Sequence, residues 1–207
     1  MIQEFYEKKL PGLDAFLEKG WKDWVDTTDF KLVFRDEESG TRSIKSEVII
    51  NKKSSIIFDF LKKLDNKGKY DSSYEKGYVF QEFDENFQIN YVKHKGVFIV
   101  SPRDFVNLVY AKSDENRSII LHTATQHPDL PVNKNAVRGE IMYAGFLIDK
   151  ITEEKSKLTF FSSVDVKLSQ TLVNIALKKV SYAPKIIKGI LEAWTLVYIF
   201  IYIYLFS

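Results

Sequence analysis

The chain has 207 residues, 45% hydrophobic and 28% charged, enough for one domain that encloses both a core and an internal cavity. A formal net charge of +2 gives no reason to expect a nucleic-acid partner. The absence of cysteine excludes disulfides, thiolate zinc sites and cysteine nucleophiles. The opening "MIQEFYEKKLPG" mixes charges and lacks the apolar run of a secretory signal, so a cytosolic location is expected. Residues 3–18 set Phe5, Tyr6, Leu10, Leu13, Phe16 and Leu17 at helical spacing, interrupted by Pro11 and Gly12, which predicts one bent helix or two short ones. "KLVFRDEESGTRSIKSEVII" reads as two strands about a turn at Asp36 to Gly40. In "SSIIFDFLKKL", Ser54 or Ser55 is placed to cap a helix whose face carries Ile57, Phe60, Leu61 and Leu64.

From Tyr78 to Val166 seven strand-like runs follow with short polar connectors: "YVFQEF", "FQINYVKH", "VFIV", "FVNLVYAK", "SIILHTATQ", "AVRGEIMYAGFLIDKI" and "KLTFFSSVDV". The connectors are too short for crossover helices, which predicts an antiparallel meander. Residues 168–194 return to helical period, bent near Pro184. The fold class is therefore α+β, a curved antiparallel sheet around a long C-terminal helix with a hollow between them.

Chemistry is sparse. There is no G-x-G-x-x-G, Walker-type loop or G-x-S-x-G elbow, so no cofactor cradle or nucleophile is evident. His94, His122 and His127 are the only histidines, none paired at i, i+4, and no metal site is expected. The acidic pairs Glu37 with Glu38, Asp114 with Glu115 and Glu153 with Glu154 fall in turns and read as solvated charge. His122 interrupts an apolar strand, and either a place in the cavity or a hydrogen-bonded place on the outer face would suit it. Aromatic residues, 14% of the chain, suit a large apolar pocket better than a nucleic-acid platform without a basic patch.

Several separated motifs resemble the START family of lipid-transfer domains: "SPRDFV" at 101–106, "HPDLP" at 127–131, "VRGE" at 137–140 with Gly145, and "FSSVDVK" at 161–167. "KKLDNKGKYDSSY" resembles the family's helix-to-strand segment, with Tyr70 where tryptophan is usual before Asp71. The match covers roughly residues 10–194. It implies a helix-grip fold holding one lipid in a tunnel, lipid binding and movement between membranes rather than catalysis, and a gate formed by the terminal helix with a loop around Asn133 to Val137 or near Ser101. Residues 1–194 are thus expected to form one such domain, monomeric and meeting membrane surfaces transiently.

Some family members that bind sterol or phosphatidylcholine place a buried arginine seven residues after the motif proline. Sterol binders add an acid on the preceding strand. These positions are Val109 and Asn90 here, so both charges are missing. The resemblance then favours a neutral ligand, such as a sterol, diacylglycerol, ceramide or fatty-acyl compound, over a phospholipid held at this depth. Strand alternation assigns Asn90, Val92, Phe105, Asn107 and Val109 to the cavity, joined by Ile120, His122 and Tyr143. The terminal helix contributes Leu172, Ala176, Lys179 and Val180, and Arg138 is a candidate to replace the missing arginine. In "VSPRDFVNLVYA", Pro102 fixes a strand entrance, and Arg103 with Asp104 is expected to pin it by side-chain pairing.

The final residues 195–207 are apolar and aromatic. From Ala193 to Phe206 a helix would span only about 21 Å against a hydrocarbon core of about 30 Å. Tyr198, Phe200, Tyr202, Tyr204 and Phe206 alternate with aliphatic residues at a period of two, which suits a strand. A membrane-surface anchor, a segment packed on the domain and an artefact of the coding boundary remain as three readings.

Overall fold

Along "SKLTFFSS", residues Ser156 to Ser163 are buried or half-buried on both alternating faces. A strand with neither side in water requires cover above and below the sheet. The computed structural model describes residues 1–18, 20–26, 31–96, 100–168, 186 and 188–192, and shows how both faces are covered. The helical elements are α1 (Ile2–Glu4), a π-helical turn (Phe5–Lys9), α2 (Leu10–Glu18), α3 (Ser54–Lys62), a 3-10 turn (Leu64–Asn66) and α4 (Lys67–Tyr70). The strands are β1 (Lys22–Asp26), β2 (Lys31–Asp36), β3 (Arg42–Ile50), β4 (Tyr74–Glu82), β5 (Phe87–His94), β6 (Arg103–Ser113), β7 (Arg117–Ala124), β8 (Val137–Arg138), β9 (Glu140–Thr152) and β10 (Lys155–Asp165).

The main sheet runs β1-β2-β3-β10-β9-β7-β6-β5-β4, with β8 pairing parallel to β6. The expected meander is present as β4-β5-β6-β7-β9-β10, and β10, the last of the described strands, also pairs with β3 and so joins the first three strands to it. β1 was not anticipated, and "AVRGEIMYAGFLIDKI" divides into β8 and β9 at Gly139. There an added Cβ would lie 2.3 Å from the Phe105 ring. Residues 97–99 of the predicted strand "VFIV" lie outside the described residues.

One face, here the outer one, is covered by the N-terminal helix. Phe5, Leu13 and Phe16 pack on Phe87, Ile89, Tyr91, Val106, Leu108, Tyr110, Leu121, Leu147 and Phe161. Pro11 does not break this helix, because the preceding π turn ends in a bond from Leu10 N–H to the Phe5 carbonyl. The inner face carries Leu32, Ile44, Val48, Val109, Ala111, Ile120, Phe146, Ile148, Leu158 and Phe160 under Ile57, Phe58 and Leu61 of α3, Tyr70 of α4, and Ile186 and Ile190. α3 starts one residue earlier than a serine cap would place it. Its N-cap is Lys53, which makes no side-chain cap bond, and Phe58 replaces Leu64 on its buried face.

Gly145 sits between Leu121 and Phe161, both fully buried. Its φ is +154°, and an added Cβ would lie 1.9 Å from the Ile120 carbonyl oxygen. A Gly145→Ala variant is therefore expected to lose about 1–3 kcal/mol, read by chemical denaturation at constant slope.

Candidate functional site

Cross-strand register lays out the inner wall. Asn90 of β5 faces Asn107 of β6, Val92 faces Phe105, and Gln88 faces Val109. The last row continues through His122 of β7, Ala144 of β9, Ser162 of β10 and Ile44 of β3. Gln88, His122, Ala144 and Ser162 in this row retain surface, while Ala111, Ile120, Phe146, Phe160 and Ser46 in the next row are buried. His122 is central in the sheet, and burial, then the nearby charge of Lys67, push its pKa down to about 3. Its side chain keeps partial exposure on the inner face beside this buried row.

Among the described residues, three buried side-chain atoms lack a hydrogen-bond partner: Ser46 Oγ, Asn90 Oδ1 and Asn107 Oδ1. All three residues project to the inner face, two of them directly opposite one another. Each unpaired acceptor costs about 1–3 kcal/mol, so their coincidence on one wall is an uncompensated polarity that a ligand group would relieve.

A second polar group comes from α4. Lys67 Nζ lies 3.3 Å from Asp71 Oδ2, and the Asp71 carboxylate is buried. Asp71 Oδ1 accepts from Ser73 Oγ at 2.6 Å and Ser73 N–H at 3.0 Å. Since the Ser73 proton goes to Asp71, the hydroxyl oxygen accepts from His94 Nδ1 at 2.8 Å. That fixes His94 as the Nδ1–H tautomer. Burial, then Lys67, lower its pKa to about 4 against the opposing pull of Asp71. Burial disfavours the Lys67 charge, but Tyr70 and Asp71 outweigh it and the pKa is raised. A charged ammonium thus stands near two neutral histidines.

The motif "SPRD" acts as a pin, with different partners from those expected. Asp104 does not pair with Arg103. Its buried carboxylate accepts from Arg138 Nε at 2.9 Å and Nη2 at 3.0 Å. Arg138 also donates to the carbonyls of Pro131 and Leu130. Arg103 donates instead to the carbonyls of Val166 and Ser101. Arg138 is therefore committed to holding the 125–136 loop, which removes it as a replacement for the missing ligand arginine.

Of the sequence-predicted site residues, Asn90, Val92, Phe105, Asn107, Val109, Ile120 and His122 share the inner face. Tyr143 does not. It lies on the outer face, stacked on Phe16 at 5.0 Å with Lys9 over its ring, because β9 alternates so that Ala144 and Phe146 face inward. Leu172, Ala176, Lys179 and Val180, with the tail 195–207, lie outside the described residues. Lys67, Asp71, Ser73 and His94 were not anticipated. The i, i+4 spacing of Lys67 and Asp71 was the available signal, hidden in a lysine-rich stretch that reads as solvated.

Among the described residues no three His, Asp or Glu side chains cluster as metal ligands, and no helix is long and apolar enough to cross a membrane. A curved antiparallel sheet with helices packed on its inner side matches the helix-grip class of fold. Residues 14–183 match the family model of the START domain, and the chain belongs to that family. The human StAR-related lipid transfer protein 5 superposes with a TM-score of 0.84 at 20% identity, covering 95% of this chain and 97% of that one. The Danio rerio mitochondrial steroidogenic acute regulatory protein is 24% identical over 186 residues, or 86% of this chain and 64% of that protein. A Mus musculus acetyl-coenzyme A thioesterase is 26% identical over 149 residues, or 70% of this chain. The chain spans only 26% of that enzyme's length.

Proposed function

We propose that the protein binds one neutral lipid in the hollow of its inner face and carries it between membranes, as a monomer on the cytosolic side that meets membrane surfaces transiently. The observation that carries this reading is the row Gln88, His122, Ala144 and Ser162, which keeps surface deep in the molecule beside a wall of buried apolar side chains. At about 25 cal/mol per Å², such a wall offsets most of the cost of withdrawing an acyl chain or ring system from a bilayer. Val109 and Asn90 supply no charge at the depth where an arginine would hold a phosphate, which favours sterol, diacylglycerol, ceramide or fatty-acyl ligands.

Catalysis is the weaker reading. It draws support from the thioesterase relative, whose length this chain covers only in small part. Against it, the Ser73 hydroxyl gives its proton to Asp71 and His94 Nδ1 is a donor, so no serine–histidine nucleophile pair is formed. A lipid-gated adaptor would use the same hollow without moving its cargo. Native mass spectrometry of the protein purified from its own cell type, followed by vesicle-to-vesicle transfer of the lipid found, separates these readings. A neutral lipid at one per chain with transfer is expected. Stoichiometric phosphatidylcholine overturns the ligand preference, turnover of the lipid favours an enzyme, and binding without transfer favours the adaptor.

A further inference from the structure

We propose that the Asn90–Asn107 pair reads a free hydroxyl on the bound lipid, so that the protein accepts hydroxyl-bearing neutral lipids and discriminates against their ethers and esters. This rests on the lipid-binding reading above and narrows its ligand class. The two carboxamides are direct cross-strand partners on adjacent strands, 2% and 3% exposed, and neither Oδ1 has a partner. The backbone N–H groups around them are spent in the β5–β6 and β6–β7 ladders. Along the same face the next residues are Val92, Phe105 and Val109, which carry no donor, and Gln88, whose carboxamide bonds neither Oδ1.

A carboxamide oxygen only accepts, so what it lacks is a donor. A hydroxyl supplies that proton while its own oxygen accepts from an amide N–H, which suits a pair of asparagines at one atom. An ether or ester oxygen, a carboxylate or a phosphate diester accepts only. It would leave both Oδ1 atoms unpaired and bring a further desolvated acceptor beside them. Lys67 does not compensate for this, since its ammonium is paired with Asp71.

The same geometry predicts opposite effects on folding and on binding. Leucine is close to asparagine in volume, so Asn90→Leu or Asn107→Leu removes an unpaired acceptor and raises the melting temperature of the lipid-free protein. The gain comes with loss of hydroxyl selectivity. Extraction by the full-length protein from phosphatidylcholine vesicles is compared within two pairs, cholesterol against cholesterol methyl ether and dioleoylglycerol against its 3-O-methyl ether. In the pair that binds, the free hydroxyl is expected to be favoured on the order of tenfold, and the leucine variants to shrink this below about threefold. Equal extraction of the methyl ether by the wild-type chain, or discrimination unchanged in both melting-competent variants, overturns the inference and leaves lipid binding intact. Extraction of no lipid from either pair, with none copurifying, overturns the lipid-binding reading itself.

Discussion

Replacing Asp104 with alanine is expected to lower the unfolding free energy by about 3–5 kcal/mol, because it strands the Arg138 guanidinium against a buried wall. The carboxylate is fully buried and holds Arg138 through two bonds at 2.9 and 3.0 Å. The pair does more than neutralise charge. Val137 N–H donates to the Pro102 carbonyl and Gly139 N–H to that of Asp104, so the parallel β6–β8 contact and the ion pair close the same loop. In a domain of this size the loss is a fall of about 10 °C in melting temperature. A double-mutant cycle with Asp104→Leu and Arg138→Leu is expected to recover much of it, since an apolar pair replaces a buried ionic one at little cost. Unchanged melting in Asp104→Ala with lost lipid binding would make Asp104 a ligand residue instead.

Acidification is expected to destabilise the fold well before its surface carboxylates titrate. His94 and His122 are held neutral by burial and by the Lys67 charge, with pKa values near 4 and 3, while in the unfolded chain each returns to about 6.5. The unfolded state therefore binds protons first. Stability is fully present above pH 6.5 and is lost as the pH falls toward 4 for His94 and 3 for His122. Each histidine contributes about 1.4 kcal/mol per pH unit in that window, which sums to about 4 kcal/mol between pH 6.5 and 5. Denaturation midpoints recorded from pH 7.5 to 5 read the slope directly, and His94→Gln and His122→Gln are each expected to remove about half of it. A slope unchanged in both variants would locate the acid sensitivity elsewhere.

Much of this fold was legible because strand period and turn residues are local. β2, β3 and β5 fall where "KLVFRD", "RSIKSEVII" and "FQINYVKH" put them. The order of the meander from β4 to β10 was legible, but its attachment to the first strands was not, since nothing in the spacing of "KLTFFSSVD" says that Phe160 pairs with Ser46 on one side as well as with Phe146 on the other. The site divides the same way. Alternation put Asn90, Asn107 and Val109 on one face, as register has them, and register decides the open choice for His122 by placing it on the same face. For Tyr143 it failed, because the N-terminal helix covers the outer face of β9 and both phases of that strand are apolar. The Lys67, Asp71, Ser73 and His94 group was invisible for another reason: charge reads as surface until a tertiary contact removes its water.

The seam between β3 and β10 has a consequence for how the chain is made. Ile44, Ser46 and Val48 pair with residues near 160, more than a hundred positions downstream. As the chain leaves the ribosome, the β2–β3 hairpin presents an unpaired apolar edge until β10 arrives, and closure of so long a loop slows folding. The seam that joins the β2–β3 hairpin to the rest of the sheet thus waits for β10, the last strand among the described residues to be synthesised.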